Sequence, residues 1–416
     1  MGFLLFGALF ALILLGMPVA MSIGLSSVIV LAIQEVPLVL LPQRMFAGTD
    51  SFPLVAVPFF ILAGDLLAKG NVSKRLVDFA DSFLGTIRGG LSLVSVLGAM
   101  FFAAISGSGA ATTAAIAAPM IPEMKEKGYD PAFSAALIAA AGTIGVVIPP
   151  SVPMVLYAIV ADQSVAKLFL GGFIPGALMG ISLMAVALRT AAVKCYPKGS
   201  KFAVSNVWAK FKGSIWGLLT PGIILGGIFS GYFTPSEAAV IAVDYALIVA
   251  LFVYRDLKPR DIFRIIVDSG VTMSLVMFVI ATSNLFSWIL SNYQIPQAVA
   301  EAVLAMTQNR FLILFLINIV ILIAGVFMET ASALIILTPV FLPIVRNLGV
   351  NLVHFGIIMV IGLAIGMITP PVAINLYVAS TVSGLSIERI SKAVIPMLLA
   401  LIGVLMVFTF VPLLFA

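Results

Sequence analysis

Residues 139–158, AAAGTIGVVIPPSVPMVLYA, restrict what this chain can fold into more than any other stretch. The segment is apolar and as long as a membrane helix, about 20 residues. Yet Gly142, Gly145, Pro149, Pro150 and Pro153 interrupt it. Two adjacent prolines remove two backbone donors and obstruct the preceding helical turn. A helix broken there leaves carbonyls bare at membrane depth, which is tolerated only where they face protein or a wet cavity. Residues 362–379, GLAIGMITPPVAINLYVA, repeat the pattern. Gly145 matches Gly366, Pro149 matches Pro370, Pro150 matches Pro371 and Ala158 matches Ala379, each pair 221 positions apart. Interrupted apolar segments at corresponding places in two halves point to the binding site of a secondary transporter.

The rest of the chain agrees with a membrane setting. Of its 416 residues 62% are hydrophobic and 9% charged, against about 25% charged in soluble domains. We therefore expect an all-α integral membrane protein of about 11 spans, each of roughly 20 residues. The net charge of +5 belongs to the connections, where Lys and Arg set orientation, and implies no nucleic-acid partner. Cys195 alone makes no intramolecular disulfide, and His354 alone builds no metal cluster or triad. With only scattered acids besides, the chain offers no catalytic constellation. Neither enzymatic activity nor a cofactor is expected. Residues 1–33 lack a basic leader and are split at GMPVA, so they read as a first pair of membrane helices rather than a cleavable signal.

The chain divides into residues 1–188, a basic connection at 189–213, and residues 214–416. In the first part, scaffold segments and an amphipathic stretch at 69–85 precede a hairpin at 88–127 and the broken helix at 131–161. The amphipathic stretch suits the membrane interface. In the second part, a hairpin at 310–346 and a broken helix at 351–379 precede a last span at 393–415. Pro122 and Pro343, Gly128 and Gly349, and Asp130 and Asn351 stay in the same register, which also sets Ser108 against Glu329. Arg189, Lys194, Lys198, Lys201, Lys210 and Lys212 carry the connection without an acid, and Arg255, Lys258, Arg260 and Arg264 follow two segments later. Placing both groups in the cytoplasm puts both termini on the external face and inverts the second repeat relative to the first. Arg310 and Arg346 fall outside on this count. Charge parity leaves 88–127 open as a re-entrant hairpin or two full spans, but the small polar tip at 106–113 favours a turn buried in protein.

Each half thus offers a hairpin tip rich in Ser, Thr and Gly beside a broken helix. Hard cations prefer oxygen ligands, and unwound carbonyls and half-helix C-termini coordinate Na⁺ in such sites. The candidate ligands in the first half are Ser106 and Ser108 with the carbonyls of Gly145 and Ile148. In the second they are the carbonyls of Gly325, Gly366 and Met367 with the Thr369 hydroxyl. Helix packing is the competing use of small polar residues in membranes. Glu329, at the second tip, is an intramembrane acid and hence a functional candidate; it is equally suited to cap the returning helix. Glu237, after Thr234-Pro235-Ser236, reads as a capping acid. Asp65 and Asp268 fall near cytoplasmic ends, where structural roles suffice.

The stretch 106–113, the segment GTIGVVIPPSVPMVLYA and the segment GMITPPVAINLYVA together resemble the large membrane subunit of tripartite ATP-independent periplasmic (TRAP) transporters, the DctM type of the ion transporter superfamily. The resemblance runs along essentially the whole chain. It implies an elevator-type transporter with two re-entrant hairpins and two broken helices forming a moving body against a scaffold. It implies import of an organic acid, such as a C4-dicarboxylate or sialic acid, coupled to Na⁺ in the bacterial inner membrane. It implies two partners, a soluble periplasmic substrate-binding protein and a small four-helix membrane subunit of the DctQ type. Because the chain opens directly in the large-subunit pattern, that subunit is expected as a separate polypeptide. The substrate carboxylate is implied between the tips, at Ser106, Gly107, Thr143, Pro150, Glu329, Thr330, Pro371 and Asn375. A stand-alone Na⁺/carboxylate symporter of the same superfamily, working without a binding protein, is the alternative.

Overall fold

Helices make up nearly all the regular structure, as a chain that must satisfy its own backbone in hydrocarbon requires. The computed structural model describes residues 1–198 and 202–412. Lys201 of the basic connection and residues 413–416 at the end of the chain lie outside them. The first series runs α1 (Gly2–Leu14), α2 (Val19–Ile33), α3 (Leu40–Thr49), α4 (Ala56–Lys69), α5 (Val72–Leu84), α6 (Gly90–Ser106), α7 (Gly109–Glu126), α8 (Pro131–Gly142), α9 (Val152–Ala161) and α10 (Val165–Val193). The second runs α11 (Val204–Phe229), α12 (Pro235–Ile248), α13 (Pro259–Asn292), α14 (Ile295–Met306), α15 (Arg310–Phe327), α16 (Thr330–Asn347), α17 (Leu352–Gly366), α18 (Ile374–Ser383) and α19 (Ile387–Phe410). Among the described residues, eight helical segments are long and apolar enough to cross a membrane by themselves. Large apolar side chains such as Phe3, Leu14, Leu170, Ile174 and Leu275 stand exposed on the outer surface, which suits lipid rather than water.

Residues in register perform the same local task in both series. Gly128 and Gly349 take positive φ just beyond α7 and α16, the left-handed position that glycine fills at helix ends. Asp130 then caps α8 through the Ala132 N–H, and Asn351 caps α17 through those of Val353 and His354. Ser108 caps α7 and Glu329 caps α16. Thr234 and Glu237 form a reciprocal capping box at α12.

The structure departs from the sequence reading in two places. Helix α3 lies in a stretch that the sequence reading assigned to no element, because Pro42, Gln43, Arg44 and Gly48 break its apolar pattern. The basic connection is largely helical: α10 continues to Val193 and α11 begins at Val204. Lysine is a good helix former and nothing between 204 and 212 interrupts the turn. Several of its charges anchor the fold as well. Lys210 pairs with Asp78 on α5 at 2.9 Å, and Lys194 pairs with Asp130 at 2.5 Å. Burial pushes the Asp130 carboxyl up, but the Lys194 ammonium and the Ala132 N–H outweigh it and hold the group below the usual carboxylate range. That anchor is complete above the ordinary carboxylate pKa and fades as pH falls through the lowered one.

Two groups of helices result. One gathers α6–α10 with α15–α19: α15 packs on α17, α18 on α7 and α8, α16 on α9, and α19 on α8 and α10. The other gathers α1–α5 with α11–α14, where α13 packs on α2, α3 and α4, α12 on α4, and α11 on α5. They meet where α5 and α4 touch α6 and where α13 and α14 touch α16. Inside the first group the fully buried Tyr157 of α9 donates its hydroxyl to the Leu352 carbonyl at 2.7 Å, and its ring fills the space left by Gly356. Tyr157→Phe should therefore destabilise the detergent-solubilised protein by about 0.5–1.5 kcal/mol, one hydrogen bond. An unchanged melting temperature would show that this link between the series contributes nothing.

Candidate functional site

The first hairpin turns on Gly107, at φ +61°, between α6 and α7. Ser108 is extended, and its hydroxyl accepts from the Ala111 N–H at 3.4 Å. Thr112 donates its hydroxyl to the Ser108 carbonyl at 2.8 Å, the Ser106 hydroxyl reaches the same carbonyl at 3.3 Å, and the two hydroxyl oxygens lie 2.8 Å apart. This oxygen cluster presses on the first break. A Cβ at Gly145 would overlap Thr112 Oγ1 and fall 2.6 Å from the Ser108 carbonyl oxygen; one at Gly107 would fall 2.8 Å from the Pro150 carbonyl oxygen. Only glycine allows the approach. Along 143–146 the helix tightens into a 3₁₀ turn, and the Thr143 N–H donates three residues back to Ala140. Ser151 then restarts the chain as the cap of α9, accepting from Met154 and donating to Val146. Every residue from Ala141 to Ser151 is buried.

The second break follows the same plan but stays open. A Cβ at Gly366 would overlap the backbone of Gly325 on α15. Met367, Ile368 and Thr369 donate their N–H groups three residues back, at 3.0–3.2 Å, and the Thr369 hydroxyl donates to Ile365 at 3.0 Å. Pro370 and Pro371 are exposed. Both Pro–Pro peptide bonds, Pro149–Pro150 and Pro370–Pro371, are cis. Helix α18 begins after Ala373, at φ +34°, with no side-chain cap.

Both tips and both breaks open on one cavity of about 320 Å³. Ser106, Gly107, Ser108, Glu329, Thr330 and Met367 line it, so the structure brings together six of the residues singled out from sequence. Gly145, Gly325 and Gly366 stand behind them as the close backbone contacts just described. Ile148 packs on Gly176, and Thr369 closes the last turn of α17. Four proposed substrate residues do not line the cavity. Thr143 is fully buried and donates its hydroxyl to Ala140, and Pro150 is buried behind Gly107. Asn375 is fully buried and donates its amide N–H to the Ala139 carbonyl at 3.1 Å. Pro371 is exposed away from it. Glu329 serves as a cap, accepting from Ala331 and Ser332 at 2.9 and 3.2 Å, and also faces the cavity.

Sequence reasoning missed the opposite wall. Ile61, Gly64 and Asp65 of α4 and Thr272 and Val276 of α13 complete the cavity. Gly64 lies against the Ser106 backbone, where an added Cβ would come within 3.1 Å. Asp65 accepts from the Ser269 hydroxyl at 2.6 Å. Thr112, too, was passed over; its position one turn after Ser108 was the available signal. Among the described residues no Lys, Arg or His lines this cavity, and its acids are Asp65 and Glu329. Hydroxyls, carbonyls and carboxylates form a donor set for a hard cation. Helix α18 reaches the cavity at Ile374 without a side-chain cap; its next N–H groups bond back to the chain, Asn375 to the Met367 carbonyl at 3.0 Å and Leu376 to that of Ala373 at 2.8 Å.

Comparison with known proteins points in one direction. The family model described as the tripartite ATP-independent periplasmic transporter, DctM component, matches residues 6–414. The isethionate TRAP transporter permease protein DctMQ of Oleidesulfovibrio alaskensis is 42% identical over 98% of this chain; the chain spans 65% of that relative's length. The C4-dicarboxylate TRAP transporter large permease protein DctM of Pseudomonas aeruginosa is 43% identical over 89% of this chain and 86% of its own. The solved structure of the Alcanivorax borkumensis YdaH transporter superposes with a TM-score of 0.64 at 16% identity, over 90% of this chain and 87% of that one. It is similar in fold.

The glycine contacts are the testable part of this geometry. Gly145→Ala and Gly366→Ala should each cost about 1–3 kcal/mol by overpacking a fixed backbone contact and drive the tip off the break. A melting temperature equal to wild type in either variant would show that the approach is looser than described.

Proposed function

The chain belongs to the DctM component family of tripartite ATP-independent periplasmic transporters, and from that premise we propose that it imports a small organic acid in symport with Na⁺. The observation that carries this reading is the shared cavity: two hairpin tips and two helix breaks converge on it, with oxygen ligands and no basic side chain. An organic anion entering beside Asp65 and Glu329 meets repulsion of about 4 kcal/mol per unit charge at 4 Å for an effective dielectric near 20. Na⁺ bound at the tips removes that repulsion, which is how cation and anion come to depend on each other. One Na⁺ site uses Ser106, Ser108, Gly145 and Ile148, with Thr112 added by the structure. The other uses Gly325, Gly366, Met367 and Thr369. The substrate's anionic group lies between the tips, toward Thr330 and the open end of α18. A C4-dicarboxylate, a sulfonate such as isethionate, and sialic acid share the anionic group this arrangement would recognise. No bond is made or broken in the cargo.

On this reading α6–α9 and α15–α18 move as a body past a scaffold of α1–α5 and α11–α14, in the manner of an elevator. The two series are inverted repeats in the bacterial inner membrane, with both termini periplasmic. A periplasmic binding protein delivers the acid, and a small membrane subunit braces the scaffold.

In proteoliposomes holding the chain with both partners, uptake of radiolabelled succinate or isethionate should fall at least tenfold when the Na⁺ gradient is collapsed. Undiminished uptake without Na⁺ would overturn the coupling, and uptake without the binding protein would favour the stand-alone symporter. Thr369→Val removes one oxygen ligand while keeping size. It should raise the Na⁺ concentration for half-maximal uptake about tenfold, equivalent to ~1.4 kcal/mol. A packing role for Thr369 predicts no change in that value.

A further inference from the structure

A second cavity, of about 330 Å³, lies further along α13. Its scaffold side is polar: Asn284, Ser287 and Ser291 line it at one-face helical spacing. Its other side is apolar, made by Leu156, Ile159 and Val160 of α9 and Ile335 and Pro339 of α16. The polar side is not explained by the fold. Four other hydroxyls on α13 are satisfied: Ser269 by Asp65, Thr272 by Asp268, Ser274 by Gly270 and Thr282 by Phe278. The buried hydroxyls of Ser283 and Ser287 have no partner. Asn284 is seated on Gly48 of α3, where any Cβ would collide with its side chain. Glycine there keeps room for a carboxamide that faces a greasy neighbour.

The two cavities are connected by the run of α16. Its first residue, Thr330, shares the first cavity with Thr272 and Val276 of α13. Ile335 and Pro339, further along α16, share the second with Ile280, Asn284 and Ser287. Helix α16 therefore runs beside α13 in the same direction. From Thr330 to Pro339 is about 14 Å at 1.5 Å per residue. A slide of that length along its own axis carries the polar tip from the level of Val276 to that of Asn284, about 12 Å further along α13. The apolar band at Val276 and Ile280 separates the two stations.

We propose that Asn284, Ser287 and Ser291 form the second station of the transport site. When the moving helices shift along α13, the tip bearing Glu329 and Thr330 comes to rest opposite them, and their carboxamide and hydroxyls hydrogen-bond the small organic anion held between the tips. Thr272 and Asp65 line the station occupied here, with Ser269 behind Asp65. This rests on the moving-body reading above, and goes beyond it in naming the fixed residues at the far end of the travel.

The test is cysteine cross-linking by Hg²⁺ in the assembled complex in membranes, with Cys195→Ser as background. Thr272→Cys/Thr330→Cys and Ser287→Cys/Ile335→Cys join residues that line a common cavity here, and both should cross-link. Ser287→Cys/Thr330→Cys joins residues separated here and should also cross-link, at least about tenfold faster than the corresponding single-cysteine variants. Asn284→Cys/Thr330→Cys repeats the measurement on a second residue. If the first two pairs react and neither Thr330 pair with the far station does, the proposal is overturned. Loss of Na⁺ dependence in wild-type uptake would remove the coupling and leave these cross-links unaffected, so the two failures are separable.

Discussion

Backbone groups cannot be left unpaired in hydrocarbon, and the architecture follows from how this chain pairs them at two interrupted helices. Each Pro-Pro pair ends a helix at membrane depth. Before each, the chain tightens to bonds that reach three residues back, which releases a carbonyl from its ordinary partner. The hairpins supply the missing surroundings. Tip one presses Ser108 and Thr112 onto Gly145, and α15 presses Gly325 onto Gly366. The glycines are there because nothing larger permits the approach. A hairpin that must reach a buried break cannot end in lipid, which is why its tip is small and polar.

The two breaks have diverged. The first is sealed: its residues are buried and Ser151 caps the helix that follows. The second is open: exposed prolines, no side-chain cap, and Ala373 in a left-handed conformation. Asn375, in the first turn after the open break, reaches to the Ala139 carbonyl before the sealed one. At Ala139 the carbonyl loses its usual donor because the Thr143 N–H turns to Ala140. Asn375 fills that vacancy from the other half of the chain, so the two breaks hold each other in place. Sequence alone assigned Asn375 to the substrate, because a polar residue beside a break looks the same whether it faces cargo or a carbonyl.

Much of this was legible in advance for physical reasons. Pairs in register proved to be pairs in role: Gly128 and Gly349 end helices, Asp130 and Asn351 start them, and Ser108 and Glu329 cap the returning arm of each hairpin. Such positions are set by backbone geometry, which sequence expresses directly. What could not be read were contacts made by distant elements. Asp65, Thr272 and Gly64 join the site only because α4 and α13 fold across it, and nothing in their own neighbourhoods announces a cavity. Helix α3 and the start of α11 were hidden for another reason. Their polar residues mask a helical pattern that tertiary partners, such as Asp78 for Lys210, make favourable.

The opposite wall changes how the site is understood. Tips and breaks alone would form a closed oxygen cage with a symmetric claim on cations. Adding α4 and α13 makes one side of the cavity carboxylate-bearing and fixed in another helix group. An acid-lined cavity favours an anionic cargo only when a cation enters as well, and on the proposed reading that requirement is the coupling. On that same reading, Asp65 on α4 and Glu329 at a tip would be drawn apart as the two groups slide, and their joint hold on a cation would weaken. A hold that exists in one position and loosens in the other would, on the proposed coupling, let the ion leave after it has carried its partner across.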